Sequence, residues 1–131
     1  MLCYPPALQR MILGLRTTIY HVPDLDQAKA WYASAFGVEP YFDQPFYVGF
    51  NLGGYELGLN PDLSAAAAGS GGVVAYWGVA DIIAAVGRFE NAGATIKVRP
   101  HEVGEGIKVA TVADPFGNLI GLIENRHFKL P

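Results

Sequence analysis

One carboxylate stands where the surrounding sequence is otherwise apolar. Glu56 lies in Tyr55-Glu56-Leu57-Gly58-Leu59-Asn60, a strand-like run bracketed by a Gly53-Gly54 turn and Pro61. A carboxylate in such surroundings is costly unless paired or hydrated, and a positioned one can serve as a general base or as a metal ligand. Its potential partners are few. The histidines are His21, His101 and His127, and the single cysteine is Cys3. One cysteine allows neither an internal disulfide nor a Cys-pair metal site. Alternation along a strand puts Thr17, Ile19 and His21 on one face, so His21 can look into a cavity mouth. His101 follows Pro100 in an expected loop, and His127 falls in an expected tail. A solvated or hydrogen-bonded imidazole is the default reading for all three. The alternative is a relocated site of two histidines and one carboxylate, using His21, Glu56 and a third group.

The elements that must position these side chains come in a repeated order. Ile, Leu and Thr between Met11 and Tyr20 predict a strand. Asp24 caps a helix with Gln27 three residues on, and Gly37 stops it. Leu25, Ala28, Trp31 or Tyr32, Ala35 and Phe36 recur at helical spacing. Val38–Phe42, Phe46–Leu52 and Tyr55–Leu59 predict three strands. The pattern then restarts: a strand over Val73–Val79, Asp81 as cap, a helical face of Ile82, Ala85, Val86, Phe89 and Ala92, and Gly93 as stop. Thr95–Arg99, Lys108–Val112 and Leu119–Ile123 complete it. Asp114-Pro115-Phe116-Gly117-Asn118 reads as a hairpin tip before the last strand. Shifted by 65 positions, Leu57 meets Leu122, Asn60 meets Asn125, and Glu56 meets Gly121.

The chain therefore divides into an extension over 1–11, a βαβββ module over 12–60, a linker over 61–72, a second βαβββ module over 73–126 and a tail over 127–131. The linker PDLSAAAAGSGG has connector composition. Met11 is a candidate natural start. Modules of about 60 residues are too small to bury both sheet faces alone. The expected fold is α+β, with two tandem modules forming a curved mixed sheet around a cavity and the helices outside. Such a cavity is the default small-molecule site.

Bulk properties narrow the partners. The 131 residues carry a net charge of −3, which provides no basic field for nucleic acid or anionic membrane. No apolar run approaches the roughly 20 residues of a membrane span. A soluble cytoplasmic protein with neither nucleic-acid nor membrane partners is expected.

The doubled βαβββ pattern, the Val-x-Asp-Leu/Ile entry to each helix and the Asp-Pro-x-Gly-Asn hairpin together resemble the vicinal-oxygen-chelate superfamily. That superfamily includes glyoxalase I, bleomycin-resistance proteins, fosfomycin-resistance enzymes and extradiol dioxygenases. The resemblance covers residues 12 to 126. It implies a divalent metal held by His and Glu from the first and last strands of each module. Those positions fall here on Thr17, Val73, Glu56 and Gly121. Glu56 alone is a metal ligand, so no metal residue is assigned and no cofactor is expected, although a divalent metal is what the family implies. Pairing of members also implies a homodimer.

If Glu56 faces inward, alternation turns Tyr47, Gly49 and Asn51 inward with it and packs Val48, Phe50 and Leu52 under a helix. The same rule places Val73, Ala75 and Trp77, and Leu119, Gly121 and Ile123, on the inner face. The expected ligand-binding set is Thr17, His21, Tyr47, Asn51, Glu56, Trp77 and Gly121, with Glu56 as the catalytic candidate. It suits a small aromatic or partly apolar molecule. Two other readings stay open. One is a metal-dependent enzyme of the family, a lyase, isomerase or dioxygenase. The other is a metal-free enzyme using Glu56 as acid or base with Tyr47 or His21.

Overall fold

The computed structural model describes residues 11–64, 67–115 and 117–131. Cys3, the rest of the extension before Met11, Ala65 and Ala66 of the linker, and Phe116 at the hairpin tip lie outside the described residues. The fold is α+β and consists of two βαβββ modules. The strands are β1 (Ile12–His21), β2 (Phe42–Gln44), β3 (Tyr47–Leu52), β4 (Tyr55–Asn60), β5 (Val73–Val79), β6 (Thr95–Gly104), β7 (Ile107–Ala113) and β8 (Leu119–Glu124). The helices are α1 (Leu25–Phe36) and α2 (Ile82–Asn91). Neither is long and apolar enough to cross a membrane.

The chain separates into two compact units. The first, here the N-terminal module, comprises residues 17–75 and 129–131. Its strands run in the order β2-β3-β4-β1, antiparallel except for the parallel β4–β1 pair. Asp24 caps α1 as expected, accepting from the Gln27 backbone N–H at 3.0 Å. Gly37 ends the helix in the left-handed region (φ 68°), where glycine carries no Cβ penalty. Tyr20, Val22, Leu25, Ala28, Tyr32 and Ala33 pack against buried Val48, Phe50, Leu57 and Leu59. Trp31 is 62% exposed, so Tyr32 is the aromatic that faces the sheet. The opposite sheet face carries Thr17, Tyr47, Gly49, Glu56 and Gly58, because the register pairs Thr17 with Glu56 and Gly49 with Gly58.

The C-terminal module comprises, among the described residues, 11–16 together with 76–128. Its strand order is β5-β8-β7-β6, with β5 and β8 parallel. Asp81 caps α2 through the Ala84 N–H at 3.1 Å. The Glu124 carboxylate accepts the Ile82 N–H at 2.9 Å, placing a negative charge at the positive end of the helix. Ile82, Ala85 and Val86 bury against Val79, Ala110 and Leu122, with Met11, Ile12, Phe89, Ile96 and Ile120 around them.

Two element boundaries differ from the sequence reading. Val38 to Tyr41 is not strand, and β2 is the short edge Phe42–Gln44. The expected His101 loop is instead part of β6, where His101 pairs with Val109. Pro100 is accommodated because β6 is an edge strand with register shifts on either side of it, and its missing N–H is not needed there. The linker ends in a 3-10 turn over Ser70–Gly72.

Candidate functional site

The chemistry gathers on the sheet face of the N-terminal module turned away from α1, around Glu56. Because β1 and β4 pair in parallel with Thr17 beside Glu56, the Thr17 hydroxyl reaches the carboxylate and donates to Oε1 at 2.8 Å. The Tyr47 hydroxyl donates to the same oxygen at 2.5 Å. The Tyr41 hydroxyl donates to Oε2. Three neutral hydroxyls thus surround one carboxylate, which answers the desolvation cost that the sequence poses.

Two glycines make this arrangement possible. Gly49 and Gly58 face each other across β3 and β4, leaving a side-chain-free floor. A Cβ on Gly49 would lie 2.7 Å from Glu56 Oε2 and 3.0 Å from the Tyr41 ring. One on Gly58 would overlap the Tyr47 hydroxyl. The carboxylate and both phenols therefore lie across backbone where any other residue would project.

The phenols are strongly perturbed. Burial, then the Glu56 charge and the hydrogen bond to it, push the Tyr47 hydroxyl far above the ordinary phenol range, with the Thr17 hydroxyl acting the other way. Loss of hydration, the hydrogen bond to Glu56 and its charge also raise Tyr41. Tyr41 is 62% exposed as a whole residue, yet its hydroxyl is turned onto the carboxylate, and the shielding acts at that end. Both groups are held neutral, as donors.

The remaining expected site residues sit elsewhere. His21 is buried, and its Nδ1 lies 2.7 Å from the Gly72 carbonyl oxygen, so its ring anchors the end of the linker. Asn51 pairs with Glu56 in register, but its side chain accepts the Gly54 N–H at 2.9 Å and closes the β3–β4 turn. In the C-terminal module Trp77 pairs with Leu122, whose side chain lies in the core under α2. The expected inward set of Val73, Ala75 and Trp77 is therefore one residue out of phase. Tyr76 and Gly78 occupy the face away from α2. Gly121 does lie on that face, and the Tyr76 ring covers it: a Cβ there would lie 2.5 Å from Tyr76 Cδ2. The Arg16 guanidinium similarly overlies Gly78, with Phe128 stacked on it at 3.8 Å from ring centroid to Cζ.

Tyr41 and Tyr76 were not among the residues singled out from sequence. The signal that points to them is a glycine in mid-strand, which marks close approach of another group. A cleft of about 420 Å³ beside Lys29, Ala33, Glu39 and Asp43 lies on the α1 side of the N-terminal module. It is crossed by a Lys29–Asp43 ion pair of 3.0 Å and contains none of the hydroxyl donors to Glu56. The carboxylate cluster, with its converging donors, is the better candidate on chemistry. Among the described residues no three His, Cys, Asp or Glu side chains come together.

Comparison with known proteins gives a consistent fold. The profile of the Glyoxalase/Bleomycin resistance protein/Dioxygenase superfamily matches residues 14–122. A Streptomyces coelicolor methylmalonyl-CoA epimerase, solved in complex with 2-nitronate-propionyl-CoA, superposes with a TM-score of 0.73 at 17% identity, over 92% of this chain and 99% of that one. A glyoxalase/bleomycin resistance protein/dioxygenase superfamily member from Vibrio splendidus 12B01 gives 0.63 at 23% identity, over 84% and 97%. A Mn(II)-bound glyoxalase from Novosphingobium aromaticivorans gives 0.66 at 21% identity, over 87% of this chain and 39% of that one. No curated protein matches the sequence. At these identities the likeness to the solved structures is one of fold.

Proposed function

From a chain that belongs to the glyoxalase/bleomycin resistance protein/dioxygenase superfamily, we propose a binding protein that holds a small, partly apolar molecule on the Glu56 face of its N-terminal module without the divalent metal of its enzymatic relatives. The observation that carries this reading is the state of Glu56, whose carboxylate receives hydroxyls from Thr17, Tyr41 and Tyr47. The other three family ligand positions hold Thr17, Val73 and Gly121, and Tyr76 lies over Gly121. Zinc, nickel, manganese or iron requires several converging N, O or S donors, and this set does not fit one.

Metal analysis of untagged protein tests the reading. The expected result is no stoichiometric transition metal. A stoichiometric metal lost in Glu56→Gln would overturn it. Thermal-shift screening tests binding, since a ligand at about 100 times its dissociation constant adds about 2.7 kcal/mol.

One observation favours a second reading. The Tyr47–Glu56 contact of 2.5 Å couples a carboxylate to a phenol kept neutral, which is the composition of a metal-free acid–base pair. Turnover that survives metal removal and is lost in Glu56→Gln would favour it over simple binding.

A further inference from the structure

The aromatic residues nearest Glu56 carry a more specific inference, which rests on the binding reading above. On the face of the N-terminal module turned away from α1, Tyr41 and Tyr47 converge on the carboxylate. Phe42 stands beside them, since its register partner is Gly49. The Phe42 ring meets Tyr47 at 6.2 Å between centroids, tilted 61°, and meets Phe46 at 6.0 Å, tilted 66°. Phe42 thus meets Phe46 and Tyr47 at steep angles instead of stacking flat, and Tyr47 carries this aromatic run to the carboxylate. They are not core: Tyr41 is 62%, Phe42 38% and Phe46 64% exposed. Clustered aromatic exposure of this kind marks a recognition surface.

Its charge selects the occupant. Aromatic faces present negative charge density and attract cations, most strongly where several rings surround one site. Glu56 adds a formal negative charge to the same place. A carboxylate offers about four acceptor positions, of which Thr17, Tyr47 and Tyr41 occupy three. The position left is on Oε2, since Oε1 already takes both Thr17 and Tyr47. We propose that this site binds an organic ammonium ion, its N–H donating to Glu56 Oε2 and its alkyl or aryl groups lying against Phe42, Phe46 and Tyr41. An anion would meet both the carboxylate and the ring faces, and is rejected.

Isothermal titration of the full chain with benzylammonium, benzyl alcohol and benzoate tests the proposal. Saturable binding of benzylammonium, with no measurable binding of the neutral and anionic analogues, is the expected result. Glu56→Gln, which keeps shape and removes charge, should weaken it roughly tenfold or more, the scale of one charge-assisted hydrogen bond. Phe46→Ala, at an exposed position that does not touch the carboxylate, should weaken it as well and keeps the test valid if Glu56→Gln misfolds. Binding of benzyl alcohol as tight as that of benzylammonium would overturn the ammonium assignment while leaving the small-molecule reading intact. Equal binding of benzylammonium to both variants and wild type would overturn it too. Binding of none of the three, with no shift across a broader ligand library, would remove both readings. Dimerisation abolished by Phe46→Ala, without any ammonium binding, would assign the aromatic surface to a second copy of this chain and overturn the proposal.

Discussion

At the scale of the residue, Glu56 and its three hydroxyls define what can be measured. The Tyr47 phenol ionises above its unfolded value because the neutral form is buried and donates to a carboxylate. The neutral form therefore stabilises the fold fully below pH ~10, and that contribution is lost as pH rises through the folded value. Absorbance titration of the seven tyrosines should show Tyr47 failing to form phenolate in the range where exposed tyrosines ionise. Tyr47→Phe should leave the early-titrating tyrosines unchanged in number and flatten the alkaline loss of stability. Titration of Tyr47 with the exposed tyrosines would contradict the geometry. The same substitution removes one donor from the carboxylate and should cost about 1–3 kcal/mol at neutral pH, read from urea denaturation.

At the scale of the element, the glycines of β3 and β4 decide whether the carboxylate can lie where it does. Gly58→Ala places a methyl group against the Tyr47 hydroxyl and should cost about 1–3 kcal/mol, the usual scale of overpacking. It should also displace Tyr47, shifting the ring resonances of Tyr47 and Phe42 in NMR spectra. Gly87 is the internal control. It sits in α2 with nothing within 4 Å of an added Cβ. Gly87→Ala should stabilise the protein by about 0.4–1 kcal/mol through helix propensity and reduced freedom of the unfolded chain. If both alanines behave alike in thermal melts, close approach at Gly58 is not what keeps that position glycine.

At the scale of the whole molecule, each module rests on a core between one sheet face and one helix. Leu59 and Leu122 are both fully buried, one in each core. Leu59→Ala and Leu122→Ala should each cost about 2–5 kcal/mol in chemical denaturation, a large share of the stability of a domain this size. A cost below about 1 kcal/mol at either position would mean that its core collapses to fill the space.

Much of this organisation is legible in the amino-acid order, because it depends on neighbours a few residues apart. Asp24 and Asp81 as caps, Gly37 as a stop, the α2 face of Ile82, Ala85 and Val86, and the packing of Val48 and Phe50 under α1 all follow from local propensity and period. So does the repetition of a whole module, and with it the fold. The site depends on contacts the period does not contain. Alternation divides β5 into two faces but does not say which faces its helix; pairing of Trp77 with Leu122 does, and it leaves Tyr76 over Gly121. Tyr41 reaches Glu56 because its N–H bonds the Gly49 carbonyl at 2.9 Å, bringing a residue outside any strand alongside β3. His21 goes to Gly72, 51 positions away, and not to Glu56. Sequence alone determined that a carboxylate would stand in an apolar strand of a duplicated fold. Tertiary structure decided that neutral hydroxyls would answer its charge, because which donors reach a half-buried carboxylate depends on strand register and on bare backbone at two glycines.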